Sequence, residues 1–222
     1  RLTPKGEQVL QATYRLLQAI DIFKGEAQGM ADQLIGELRI GLSEALEFQV
    51  LEKVGAAIGR FRQRNQAVQI ELISAMPAEL ERRLLQDQLQ LAIGYFSGNQ
   101  NALDYQLLFS EQQALYCAAS HHLFNQPVIS LDDLDRCDHV LHSYRSISIH
   151  QPLQASLSSA RCEQVEGSLA LILSAAPIGY LPEHIAAPWV ANGSLRALLP
   201  EQLGFNVDFH LASHRGRHPG DA

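Results

Sequence analysis

The chain has 222 residues, 46% of them hydrophobic, and sets 17 Lys and Arg against 24 Asp and Glu for a formal charge of −7 at pH 7. An acidic balance of that size lacks the basic surface with which a protein grips nucleic acid. No apolar run approaches the ~20 residues of a membrane span, and the start shows no secretion-signal pattern. Cys117, Cys137 and Cys162 are odd in number and lack metal-ligand spacing, which predicts reduced, packed thiols in a cytosolic protein.

The first predicted element is a long helix. Val9, Thr13, Leu16, Ile20, Phe23, Ala27, Met30 and Leu34 recur alternately four and three residues apart, the spacing of a two-helix seam. At ~1.5 Å rise per residue, roughly 30 residues extend ~45 Å. Lys5, Glu7, Gln11, Arg15, Gln18 and Lys24 occupy the water-facing sides. A second copy of the chain is the expected partner; a single helix lying on its own domain is the alternative. Gly25 and Gly29 each weaken the helix by roughly 1 kcal/mol relative to Ala, so pairing is expected to be strongest before Gly25.

After Leu34 the period changes. Glu37–Leu42 reads as a strand, Leu46–Arg64 as a helix with Leu46, Val50, Val54, Ile58 and Phe61 on one side, and Val68–Ile73 as a second strand. The arginines 60, 62 and 64 complement the negative end of that helix. Met76 and Pro77 open another helix, and Leu89–Phe96 is a third strand. Strand, helix, strand, helix, strand with short connections predicts a parallel sheet with crossover helices. Beyond it, Tyr105–Phe109 and Ala114–Ala119 read as two strands joined by polar residues 110–113, and Ser130 caps a helical turn. His139–Leu141 reads as a strand, 143–151 as a loop, Leu153–Ser158 as helical and Arg161–Val165 as a strand. Ser168–Ser174 reads as a helix, Ile178–Leu181 as a strand, and Pro182 to about Val190 as a helix. Leu195–Leu198 and Val207–Leu211 are the last strands. Two α/β lobes joined by crossing strands, with a cleft between them, are the expected outcome.

The residues also resemble the LysR-type transcriptional regulators along the whole chain. Leu2-Thr3-Pro4-Lys5-Gly6-Glu7 is similar to the end of that family's winged helix-turn-helix and the start of its linker helix. Gly36-Glu37-Leu38-Arg39-Ile40-Gly41 resembles the first strand of its effector domain. Phe61-Arg62-Gln63-Arg64-Asn65 resembles a helix exit in which Pro usually stands at Gln66. Leu115-Tyr116-Cys117 with His121-His122-Leu123-Phe124 is similar to its His-Pro-Leu stretch, with His122 in the proline's place. Ile178-Gly179-Tyr180-Leu181-Pro182 resembles its Gly-Ile-x-x-Leu-Pro strand exit. Ala175-Ala176-Pro177 replaces the usual Gly-x-Gly, so a different turn is expected there. The winged helix is not in the sequence, and a fragment of a longer regulator is expected.

The resemblance implies an α/β fold: an N-terminal linker helix followed by a two-lobed periplasmic-binding-protein-like (type 2) Rossmann-like domain. On that basis residues 1–35 are the linker and dimerisation helix, with 1–6 closing the winged region. Residues 36–222 form the effector domain, with lobe I at about 36–112 and 206–222 and lobe II at about 113–205. The implied partners are a second copy or a tetramer, a small-molecule effector with a carboxylate as one candidate class, and DNA only through the N-terminal head, with no membrane. The linker seam supports oligomerisation independently, because it derives from spacing.

Ligands in such clefts meet strand C-termini and the N-termini of the helices that follow. The first candidate point is Ser43-Glu44: Ser43 either donates its hydroxyl to a carboxylate or caps a helix, and Glu44, which would repel an anion, either points outward or signals a cationic or neutral effector. Met76 and Pro77 are candidates for a wall, where the family often carries Thr or Ser. Tyr95 and Ser97 form the third point, with Tyr95 packed at its strand end as the alternative. Ser143, Tyr144, Arg145 and Ser146 are the densest polar cluster after any strand. Arg145 is the candidate carboxylate clamp, since its planar fork matches both oxygens, with a solvated loop arginine as the alternative. His210, His214 and His218 are spaced by four, but Pro219 and Gly220 favour a fraying end, so neither metal nor cofactor is expected. No Gly-x-Ser-x-Gly, glycine-rich phosphate loop or His-Glu-x-x-His argues for an enzyme. A transport solute-binding protein of the same fold is the alternative function.

Overall fold

The computed structural model describes residues 3, 13, 36–43, 46–64, 67–96, 100–142 and 157–216. Nine strands and six helices follow in chain order among them: β1 (Gly36–Leu42), α1 (Phe48–Arg64), β2 (Val68–Ser74), α2 (Pro77–Leu85), β3 (Leu91–Gly94) and β4 (Leu103–Ala118). Next come α3 (Leu131–Asp135), β5 (Asp138–His142), β6 (Leu157–Cys162), α4 (Val165–Leu173) and β7 (Pro177–Pro182). The last are α5 (Glu183–Ala191), β8 (Leu195–Leu198), α6 (Pro200–Leu203) and β9 (Phe205–His214).

The strands lie in the order β2-β1-β3-β9-β4-β7-β5-β6, with β8 also paired to β4. β1 runs parallel to β2 and β3 on one side, and β5 runs parallel to β6 and β7 on the other. The two antiparallel strands β4 and β9 join these parallel sets, so the molecule has two α/β lobes bridged by a ribbon. The βαβ crossovers cover the sheets with helices, and β1 correspondingly buries Ile40, Leu42 and Gly41 in sequence. Gly41 lets α2 settle onto the sheet, since a Cβ there would stand 2.6 Å from the Leu80 side chain.

β4 shows how one strand serves both lobes. Leu103 and Tyr105 pack with the α2 core, together with Leu80, Leu84 and Leu89. A bulge between Leu107 and Phe109 then shifts the register against β9, and Phe109 turns to the opposite core with Ile40, Leu46 and Phe209. Farther on, Ala114, Tyr116 and Ala118 meet α4 and α5, while Leu115 and Cys117 meet Leu123, Leu134 and α6. Alternating side chains thus fill two cores from a single strand.

The first five effector-domain elements follow the periodicity closely. The later ones differ in instructive ways. The two strands expected at 105–119 are one, because Ser110, Glu111, Gln112 and Gln113 continue the ladder against Asp208, Val207, Asn206 and Phe205. Leu157 and Ser158, expected to be helical, are strand residues. Asp138 opposite them holds the Ser159 amide at 2.7 Å, a long-range bond no local pattern reveals. Val165, expected to end a strand, opens α4 instead. The replaced Gly-x-Gly turn keeps a glycine-type backbone: Ala175 takes φ +75°, where an L side chain is strained. Of the linker seam only Thr13 lies among the described residues, helical and exposed; Val9, Leu16, Ile20, Phe23, Ala27, Met30 and Leu34 lie outside them.

Candidate functional site

Both parallel strand sets aim their C-terminal ends at the middle of the β4–β9 ribbon. Gly94, the last residue of β3, stands opposite His210, so the next residue continues toward Phe209 and Val207. Val207 in turn stands opposite Glu111. From the other lobe, Pro182 at the end of β7 stands opposite Gln113, and α5 begins directly after it. Strand ends of the two lobes therefore converge on Glu111 and Gln113.

Ser43 follows β1. Its amide donates to the Ile93 carbonyl at 2.8 Å, and its side chain lies over Gly94, where an added Cβ would stand 3.3 Å from the hydroxyl oxygen. Only 3% of the residue is exposed, and Oγ has no hydrogen-bond partner among the described residues. The capping role is therefore not taken, and a buried hydroxyl without a partner costs stability until something fills it. Tyr95, directly after β3, packs its ring edge-to-face on Phe209 at 5.6 Å. Phe209 stacks on Phe109 at 4.8 Å, which carries the aromatic floor to within two residues of Glu111. Met76 and Pro77 follow β2 at the same sheet edge. Met76 is half-buried at the start of α2 with no side-chain cap, and Pro77 is buried at its first turn. Glu44, Ser97, Ser143, Tyr144, Arg145 and Ser146 lie outside the described residues.

The charged centre of the site was not among the residues singled out by sequence. Glu111 is 8% exposed. Its Oε1 accepts from the Gln113 amide at 2.6 Å, and its Oε2 faces His184 Nδ1 at 3.6 Å, beyond hydrogen-bond length. Burial pushes the Glu111 carboxyl up to about 8; the Gln113 amide opposes the shift and the nearby Glu47 carboxylate adds to it. Phe205, opposite Gln113, meets Tyr180 edge-to-face at 5.1 Å and closes one wall. The strand-end rule that selected Ser43 applies equally to His184 after β7. Glu111 carried the weaker signal of a polar run between two apolar ones.

One group of metal-type donors comes together among the described residues: His121, His122 and Cys137, whose ligand atoms lie within 4.8 Å of one another. The sequence spacing gave no hint of it, because α3 and its loops bring Cys137 back to the end of β4. His121 Nδ1 accepts from the Leu123 amide at 3.2 Å, and the Cys137 thiol donates to the Asp133 carbonyl at 3.2 Å. Burial raises the Cys137 thiol above its ordinary range, and the Asp133 carboxylate adds to the shift.

A two-lobed α/β body with buried polar groups where strand ends converge defines a ligand-sensing or ligand-carrying class. Residues 31–222 match the family model described as the LysR substrate binding domain. The chain belongs to the LysR family, as its effector-binding region. It is 33% identical over 221 residues to the transcriptional activator BauR of Pseudomonas aeruginosa, covering 98% of this chain and 72% of that protein. Among solved structures, the effector-binding domain of QuiR in complex with shikimate superposes with a TM-score of 0.68 at 14% identity, over 84% of this chain and 92% of that one. Full-length CbnR with its target DNA superposes with a TM-score of 0.65 at 15% identity, over all of this chain and 78% of that one. The transport alternative is not favoured. Regulators of this family bind small-molecule effectors and act as oligomers. No described helix is long and apolar enough to cross a membrane.

Proposed function

We propose that this chain senses a small metabolite between its lobes and passes the event to DNA through a paired linker helix. Residues 1–35 are the pairing helix, 36–112 with 206–222 one lobe, and 113–205 the other. The carrying observation is Ser43, whose buried hydroxyl has no partner at the point where the two lobes' strand ends converge. Ser43, Glu44, Tyr95, Ser97 and the wall residues Met76 and Pro77 are the binding residues assigned to one lobe. Ser143, Tyr144, Arg145 and Ser146 bind from the other. A ligand shifts the lobe arrangement only by binding one arrangement more tightly than another. Val9, Thr13, Leu16, Ile20, Phe23, Ala27 and Met30 form the seam of a homodimer, or of the dimers within a homotetramer. DNA is held by the heads of the full-length regulator, in the cytoplasm, and the chain itself catalyses nothing.

A thermal-shift screen of metabolites against the wild type, Ser43→Ala and Arg145→Ala tests the site. A ligand that raises the wild-type melting temperature is expected to act more weakly on both variants. Equal shifts in all three proteins would place the ligand elsewhere. Sedimentation equilibrium tests the seam: a dimer or tetramer is expected, converted to monomer by Leu16→Glu with Ile20→Glu, and a monomeric wild type would contradict it.

A further inference from the structure

Along one face of β4 the side chains run Phe109, Glu111, Gln113, Leu115, Cys117. The first belongs to one lobe's core and the last two to the other's. A carboxylate and an amide interrupt this apolar face only where the strand crosses between lobes. Burial of such a pair costs stability unless both are satisfied. Glu111 is satisfied on one side alone: Gln113 binds Oε1, while Oε2 is shielded from solvent and makes no hydrogen bond among the described residues. The titratable groups that face it are Glu47, from the loop ahead of α1, and His184, at the start of α5. Neither is a permanent cation, and no Lys or Arg among the described residues pairs with Glu111. The site therefore presents two carboxylates, one of them buried with an open oxygen. Resting on the cleft reading above, we infer that the effector carries a protonated amino group and that Glu111 Oε2 receives it, with the Ser43 hydroxyl binding the effector's other polar end.

An ammonium is the complement this arrangement lacks: it supplies the positive charge and the donors, and is small enough to reach a carboxylate between two lobes. It also selects against plain carboxylic acids, which bring no positive charge and meet the nearby Glu47 carboxylate. Docking on a carboxyl that is largely protonated at pH 7 displaces its proton to solvent, so binding releases about one proton at that pH.

Isothermal titration of the full 222-residue chain tests this with straight-chain ω-amino acids of two to five methylenes, each compared with the alkylamine and the carboxylic acid of equal length. An amine-bearing probe is expected to bind and its matched carboxylic acid to fail. Glu111→Gln is expected to weaken the amine roughly 10- to 100-fold. For the wild type the heat is expected to change between phosphate and Tris buffers at pH 7 by about one proton's ionisation. That buffer comparison decides the matter on the wild type alone should the variant not fold. Binding of no amine-bearing probe, equal binding of acid and amino acid, buffer-independent heats, or unchanged affinity in a folded Glu111→Gln each overturn the inference. A carboxylic acid that depends on Ser43 but not on Glu111 overturns it while leaving the cleft reading standing; a ligand indifferent to both residues removes the two together.

Discussion

The two halves of β4 lie in one strand and obey different rules. From Leu103 to Phe109 the strand pairs with β9 on one edge, and Leu107 is 56% and Leu108 44% exposed around the bulge. From Ala114 to Ala118 it pairs with β7 and β8, and every residue is buried. The first half is a surface strand that the bulge re-aims from one core to the other. The second is the central plank of its lobe. Between them sit Glu111 and Gln113, which neither half needs for packing. Polar residues kept buried at such a junction sacrifice stability for a site, and that contrast separates scaffold from function in this molecule.

The largest expected effect separates the two halves. Leu115→Ala empties a fully buried position and is expected to cost about 3 kcal/mol in denaturant unfolding. A loss under ~1 kcal/mol would mean that the second half is not the plank described.

Glu111→Gln comes next and probes the junction. Burial pushes its carboxyl up to about 8 in the folded chain, against the ordinary 4.5 of an exposed carboxyl in the unfolded chain. Between those values the folded state holds the proton that the unfolded state has lost. Wild-type stability is therefore fullest below ~4.5, falls as pH rises toward 8, and levels above it. The glutamine carries no such dependence, so its advantage over the wild type is expected to grow with pH, by on the order of 3 kcal/mol between pH 5 and 8. Parallel stability curves for the two proteins would contradict the assignment.

Ala175→Gly relieves a left-handed alanine and is expected to stabilise by about 0.5–1 kcal/mol, with a correspondingly higher melting temperature. No gain would mean that the methyl's packing against the α4 core outweighs its strain. Smallest is Leu107→Ser, on the open half of β4, where a change within ~0.5 kcal/mol is expected. A large loss there would show that this face is covered in the assembled protein.

Much of this architecture could be read in the residues because it is local. β1 through β3 alternate with helices over short connections, and each announces itself by its own period. Ser43 and Tyr95 were legible for the same reason, since each follows directly on a strand. The rest depends on what tertiary pairing imposes. Ser110–Gln113 look like a connector, yet β9 supplies a ladder that keeps them extended. Leu157 and Ser158 become strand because β5 lies beside them. Leu199 enters α6 at φ +45°, which no propensity suggests. Glu111 acquires its character only when β7 delivers His184 and the turn before α1 delivers Glu47. A charge in a polar run is unremarkable until the fold removes its water.

The most direct test of the central claim is amide hydrogen exchange on the full chain, with and without whichever metabolite raises its melting temperature. Added protection is expected at Ser43 and Glu47, at Tyr95, across Glu111–Gln113 and at His184, from both lobes together. Protection confined to one lobe, or absent from these positions while the ligand still stabilises the protein, would contradict a sensor that binds where the strand ends converge.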